Sequence, residues 1–276
     1  MPDHETAPTF DLQSHSTYSD GALPPAEVVD AARDAGVRVL ALTDHDTVDG
    51  VEEALSAAAD VRVIPAVELS SVHGEHEDLH ILGYGLDHTD ATLLATLADF
   101  RQDRIRRIHA MAEKLRALGF TIDPKRLEHD SPGRPHLAKA LLEDNDLNLT
   151  KDEVFAQYLV PGTPTYVGRS RPTVEQAIEV IHAAGGLAVW AHPYWDVEHA
   201  EATLRAFAAA GMDGVEAFYA THTEEQTRRL HVLARELGLI TTGSADFHGP
   251  AHEHFNRFRA FSLHGLEPDL GRLGLD

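Results

Sequence analysis

The stretch Thr9-Phe10-Asp11-Leu12-Gln13-Ser14-His15-Ser16-Thr17-Tyr18-Ser19-Asp20-Gly21 decides how the chain is read. An apolar run at 9–12 has strand length, and it empties into a loop carrying histidine, serine and aspartate. The same arrangement returns along the chain, where runs at 37–43, 61–67, 79–86, 187–191, 214–218 and 239–243 read as further strands. Amphipathic stretches at 24–35, 48–59, 173–184 and 223–237 lie between many of them. Pro24, Pro25 and Pro172 suit helix first turns, and Gly36, Gly185 and Gly238 stand where helices should stop. Strands alternating with helices predict a parallel sheet with crossover helices, closed as a barrel or left open. One region breaks the rhythm. Leu94, Leu97, Ile105, Ile108, Leu115 and Leu118 recur at helical spacing over 90–118, and helical pieces follow at 135–143 and 151–158. This predicts a helical insertion at 100–169 within a main domain made of 1–99 and 170–276.

Composition narrows the class. With 276 residues, 43% of them hydrophobic, the chain can build one substantial core. No run approaches the roughly 20 apolar residues that span a bilayer. No basic segment followed by an apolar one stands near Met1, so a secretory signal is not expected and a cytoplasmic setting is. Cysteine is absent, which excludes disulfides, thiolate catalysis and cysteine-type zinc sites. A formal charge of −22 repels duplex nucleic acid and anionic membranes at long range. The 19 histidines need explaining, because scattered surface histidines are the bland alternative and only their spacing can decide.

That spacing is not scattered. Beyond His15 come Thr43-Asp44-His45-Asp46, Glu68-Leu69-Ser70, Asp78-Leu79-His80, Ala191-His192-Pro193 and Gly243-Ser244-Ala245-Asp246-Phe247-His248-Gly249. Each follows or occupies an expected strand, and the carboxyl ends of parallel strands meet at one mouth. Imidazole with carboxylate suits zinc, manganese or iron, and a carboxylate can bridge two ions. One such residue on one strand would be read as a buried hydrogen-bonder. Repetition on so many strands predicts a metal cluster.

The order and spelling of these segments resemble the PHP (polymerase and histidinol phosphatase) family of metal-dependent phosphoesterases, over nearly the whole chain. The resemblance implies an α/β fold, a distorted seven-stranded (β/α) barrel, holding two or three divalent ions (Mn, Zn, Fe or Mg). Gly133-Arg134-Pro135-His136 and Tyr166-Val167 in the insertion resemble the branch that hydrolyses nucleoside bisphosphates or trims short oligoribonucleotides from the 5′ end. Matching positions imply one ion on His15, Glu68 and Asp246, a second on Glu68, His80 and His192, and a third on Asp20, His45 and His248. Asp44 and Asp46 would orient His45 or its loop. The chain departs from the family at Gln13, where a histidine is usual. Its amide oxygen either ligates as a weaker, harder donor or hydrogen-bonds a metal-bound water.

The implied chemistry is in-line attack on phosphorus by a metal-bound hydroxide, with no nucleophilic side chain. Ser16, Ser19 and Ser244 then read as loop residues. Arg134 and Arg169, with His136, would bind the phosphate. His222 would protonate the leaving group or touch phosphate, its alternative being a surface loop histidine. The expected partner is a small phosphorylated substrate, a nucleotide or short RNA. No duplex nucleic acid, membrane or protein partner is expected. Competing readings are a histidinol-phosphate-type phosphatase, an amidohydrolase-like hydrolase of amides or rings, and a binding protein whose site has degenerated at Gln13.

Overall fold

The computed structural model describes residues 8–169, 172–195, 197 and 199–275. Its seven strands follow one another around a single sheet in chain order: β1 (Phe10–Asp11), β2 (Val39–Leu42), β3 (Arg62–His73), β4 (His76–Tyr84), β5 (Leu187–Trp190), β6 (Gly214–Tyr219) and β7 (Ile240–Ser244). The last strand returns to the first. The Leu12 amide donates to the Gly243 carbonyl at 3.1 Å and the His15 amide to the Phe247 carbonyl at 2.8 Å, so the sheet nearly closes into a barrel. Helices α1 (Pro25–Asp34), α2 (Val51–Ser56), α7 (Ala200–Ala209) and α8 (Glu224–Leu237) are the crossover connections, and α6 (Val174–Ala183) leads into β5.

The expected all-parallel order fails at β4. This strand pairs antiparallel with both β3 and β5, whereas the other pairs are parallel. The reason is the connection: β3 turns into β4 through Gly74 and Glu75 alone, between paired His73 and His76. Gly74 takes φ +59, which a hairpin turn of this length accepts most readily from glycine. A two-residue link leaves no room for a crossover helix. Both strands also outrun their apolar cores, because polar residues continue the pairing toward the turn. His80 therefore sits in mid-strand, opposite Ser70, and not at a carboxyl end.

Between β4 and β5 come α3 (Ala91–Ala117), α4 (Arg134–Asp144) and α5 (Lys151–Val154), the last widening into a π-helical turn over Phe155–Leu159. Asp90 starts α3 by accepting the Leu93 amide at 2.7 Å. The first turns of α3 bury Leu93, Leu97 and Phe100 in the main core with Leu69, Ile81 and Val189. Its later turns bury Ile108, Met111 and Leu115 in a separate cluster with Leu137, Leu141 and Val154. One 27-residue rod thus ties the barrel to the helical segment, and position 100 falls in the middle of it. Among the described residues, no helix is long and apolar enough to cross a membrane.

Candidate metal centre

The loop after β1 is shaped before it carries any chemistry. Asp44, at the end of β2, accepts the Ser16 amide at 2.7 Å, the Ser16 hydroxyl at 2.6 Å and the Ser19 hydroxyl at 2.6 Å. Gly21 then folds back on the loop: a Cβ there would lie 2.2 Å from the His15 carbonyl oxygen, so only glycine fits. The bend aims Asp20 at three imidazoles. Its oxygens lie 3.7 Å from His15 Nδ1, 3.7 Å from His45 Nε2 and 3.4 Å from His248 Nε2.

Glu68, fully buried on β3, is the centre of the arrangement. One oxygen, Oε2, faces His15 Nε2 at 3.0 Å and His45 Nδ1 at 3.5 Å. The other, Oε1, faces His80 Nδ1 at 2.6 Å and His192 Nε2 at 3.3 Å. A carboxylate with a separate pair of imidazoles on each oxygen has the geometry of a bridge between two cations. Asp246 completes the His15 side, with Oδ1 at 3.2 Å from His15 Nε2. Its Oδ2 accepts the Tyr219 hydroxyl at 2.8 Å, which leaves Oδ1 to face inward. The His248 Nδ1 lies 2.7 Å from the Asp246 carbonyl, which directs Nε2 toward Asp20. Three side chains here leave ordinary backbone space: Asp46 (φ 54), His192 (φ 29) and Asp246 (φ 55). The His192 amide is pinned by Glu216 Oε2 at 2.9 Å.

The electrostatics ask for cations. His15 Nε2, Asp20 Oδ1, His45 Nδ1, Glu68 Oε2 and Asp246 Oδ1 are buried without a hydrogen-bond partner. Such orphans are rare in proteins, and five facing one another fit bound metal. His15, Asp20, His45 and His248 form one group able to hold an ion, and His45, Glu68 and His80 another. Burial opposes charge on His192, but the Glu68 carboxylate outweighs it and raises the imidazole to about 9. Burial pushes His45 the other way, to about 3, into the neutral form that ligates metals. Burial likewise opposes the Glu68 charge, yet the neighbouring imidazoles hold it well below the usual carboxylate range.

A cavity of about 490 Å³ opens over this cluster. Its lining carries Arg104 and Arg107 of α3, Arg134 at the start of α4, and Arg169 in the segment that follows the π-helical turn. Arg134 pairs with Asp78 at 2.8 Å and lies with its guanidinium carbon 5.7 Å from the Phe155 ring centroid. Arg169 is buried, and its Nη1 donates to the Ser70 carbonyl at 3.2 Å. Burial pulls Arg169 down to about 10, still charged at neutral pH.

Two sequence-predicted residues are not brought to this cavity. His136 caps α4 instead, accepting the Gly133 amide on Nδ1 at 3.0 Å, and burial pushes it down to about 4. His222 is buried beside Tyr194 and Tyr219, 3.1 Å from the Ala217 carbonyl, and burial pushes it to about 4 as well. Gln13 is buried with its Oε1 3.4 Å from the Ser244 hydroxyl and its Nε2 unpaired. Trp190 is core, while Trp195 stands half-exposed on the rim. Sequence reasoning passed over Arg104, Arg107, Tyr219 and the cavity-lining His252. The arginines had a signal: on α3 they continue the buried stripe Leu93, Leu97, Phe100, where an apolar residue belongs.

The fold and the donor set together define a PHP-type metal-dependent phosphoesterase, and the chain matches the PHP domain over residues 11–154 and belongs to that family. It is 37% identical over 253 residues to the 3′,5′-nucleoside bisphosphate phosphatase of Chromobacterium violaceum, covering 87% of each chain. It is 34% identical over 261 residues to the 5′-3′ exoribonuclease Rnm of Escherichia coli, covering 91% of this chain and 88% of that one. A solved structure from Chromobacterium violaceum, described as an amidohydrolase with bound sulfate and no metal, matches with a TM-score of 0.82 at 34% identity over 91% of both chains. A candidate metal-dependent phosphoesterase from Bifidobacterium adolescentis matches with a TM-score of 0.81 at 28% identity, again over 91% of both chains.

Proposed function

We propose that this chain hydrolyses phosphomonoesters of small nucleotides, nucleoside bisphosphates or monophosphates, or trims short oligoribonucleotides. The observation that carries the reading is Glu68, whose two oxygens each face a different pair of imidazoles. Two divalent ions, manganese, zinc, iron or magnesium, would be held by His15, Glu68 and Asp246 on one side and by Glu68, His80 and His192 on the other. Asp20, His45 and His248 would hold a third. Bound there, such ions supply a water of lowered pKa and neutralise charge building on phosphoryl oxygens.

The chain's own part is to bind and orient. Arg104, Arg107, Arg134 and Arg169 face the metal residues across the cavity, and guanidinium groups suit bidentate phosphate contact. This explains how a protein of charge −22 takes a polyanion: the arginines grip one phosphate while the other lies over the ligand cluster. We propose the insertion, 100–169, as the substrate-binding wall. Trp195 and Phe255, on the opposite rim, offer surfaces for a base. The third ligand set favours phosphoester over amide chemistry, which needs no such grip, and the filled ligand positions argue against a degenerate site.

Release of phosphate, or of mononucleotide from the diribonucleotide, with added manganese tests this on adenosine 3′,5′-bisphosphate, adenosine 5′-monophosphate, a 5′-phosphorylated diribonucleotide and histidinol phosphate, beside an amide substrate. Turnover of the nucleotides ahead of histidinol phosphate is expected. Turnover of the amide alone, or of nothing with metal bound, would sink the proposal.

A further inference from the structure

The cavity over the metal residues has a neighbour. A second cavity, also about 490 Å³, lies between the β1–α1 loop and α4 and shares Asp20, Pro135 and Lys151 with the first. Its lining is basic at a place where the molecule as a whole is not. Arg126 is neutralised, because its Nε meets Asp144 at 2.7 Å and its Nη1 pairs with Glu143. Lys139 has only Glu143, at 4.0 Å. Lys151 has no carboxylate at ion-pair distance among the described residues. Lys151 therefore stands unpaired among the described residues, and Lys139 only loosely paired, in a cavity that Asp20 also lines. His129 is exposed, with its ring 3.9 Å from that of His136, and a histidine face of this kind can stack a nucleobase.

The substrates proposed above give this space a purpose. A nucleoside 3′,5′-bisphosphate and a 5′-phosphorylated oligoribonucleotide begin with the same unit, a nucleotide whose O3′ bears a phosphoryl group. Hydrolysis there adds the oxygen of water to phosphorus, breaks the P–O3′ bond and leaves a proton on O3′. The substrates differ in what else that phosphorus carries: in the bisphosphate only oxygens, in the oligonucleotide the O5′ of the next residue. That next residue must have somewhere to lie, within one phosphodiester of the metals. We propose that the second cavity seats the second nucleotide of an oligoribonucleotide, with its base on His129, while Lys151, shared by the two cavities, and Lys139 place positive charge beside the phosphodiester that joins it to the first nucleotide. The proposal rests on the phosphoesterase reading and extends it, making one site serve both a phosphatase and an exonuclease reaction.

Equilibrium binding tests it without turnover. The probe is a 5′-phosphorylated diadenylate with a hydrolysis-resistant phosphorothioate link, compared with adenosine 5′-monophosphate in manganese buffer. Wild type is expected to bind the dinucleotide roughly tenfold more tightly, the scale of one stacked base. The double variant His129→Ala/Lys139→Ala, which changes only exposed side chains, should lose most of that advantage. In turnover, the ratio of kcat/KM for the unmodified diadenylate over the bisphosphate should fall about as far, through KM. Equal binding of the two ligands by wild type, or an advantage that survives in the variant, overturns the proposal. A protein that hydrolyses no phosphoester yet shows the binding advantage would end the catalytic reading and leave this subsite standing.

Discussion

Across the main cavity, the barrel wall and the helical wall treat buried charge in opposite ways. On the barrel side, His15, Asp20, His45, Glu68 and Asp246 each present a buried polar atom without a hydrogen-bond partner. On the opposite side each cavity arginine already has a partner: Arg104 with Asp46 at 2.8 Å, Arg134 with Asp78 at 2.8 Å, Arg107 with the Val167 carbonyl at 2.7 Å and Arg169 with the Ser70 carbonyl at 3.2 Å, although the Arg169 Nε is left unpartnered. Unpaired buried groups cost stability, whereas paired ones rigidify. The barrel wall therefore has the donor set to take cations. The arginine wall stands by itself and keeps its remaining N–H donors for an anion.

Removing the bridge should break this contrast most severely. Glu68→Gln is expected to lower kcat more than about 100-fold, beyond the loss from removing a residue that only orients a ligand. Steady-state phosphate release checks it. The next largest effect belongs to the helical side and to stability. Asp46→Asn leaves Arg104 buried with its charge uncompensated, so denaturant unfolding should show a loss of about 3–5 kcal/mol. The sign with pH follows. Burial opposes the Asp46 charge, but Arg104 and Arg169 outweigh it and hold its folded pKa below the ordinary 3.8. Its stabilisation is thus full above the unfolded value and fades as acid titrates it toward the lower folded one. Wild type should therefore lose more stability than the variant in acid over that window.

Smaller changes sharpen the comparison. Tyr219→Phe frees Asp246 Oδ2 while leaving the ligands in place, and should weaken metal binding by roughly 10-fold, read by chelator competition. Gln13→His should act in the other direction and least, raising metal affinity by placing an imidazole where the family resemblance implies a ligand. If metal content and affinity do not move, Gln13 is no impaired ligand.

Much of this was legible in the sequence because local signals agreed with the fold. Each strand is marked by an apolar run, α1 and α6 by proline near the start and glycine past the end, and α8 by Gly238. What stayed hidden was non-local. The antiparallel β4 depends on a two-residue turn whose flanks are polar, so the apolar runs at 61–67 and 79–86 understate both strands. Among site residues, His45 and His248 stood out because histidine beside aspartate at a strand end is unusual. Arg104 and Arg107 were passed over because charge on a long helix ordinarily means solvent, although they continue the apolar stripe of α3. His136 was legible at a helix start and His222 in a loop, yet which way such a ring points is set by the Gly133 amide and the Ala217 carbonyl.

The most direct measurement is elemental analysis of the chain saturated with manganese and freed of loose ions, wild type beside Glu68→Gln. Glu68 as the bridge predicts at least two ions per chain in wild type and a clear drop in the variant, with the fold retained by circular dichroism. One ion or none in wild type, or an unchanged count in the folded variant, would contradict it.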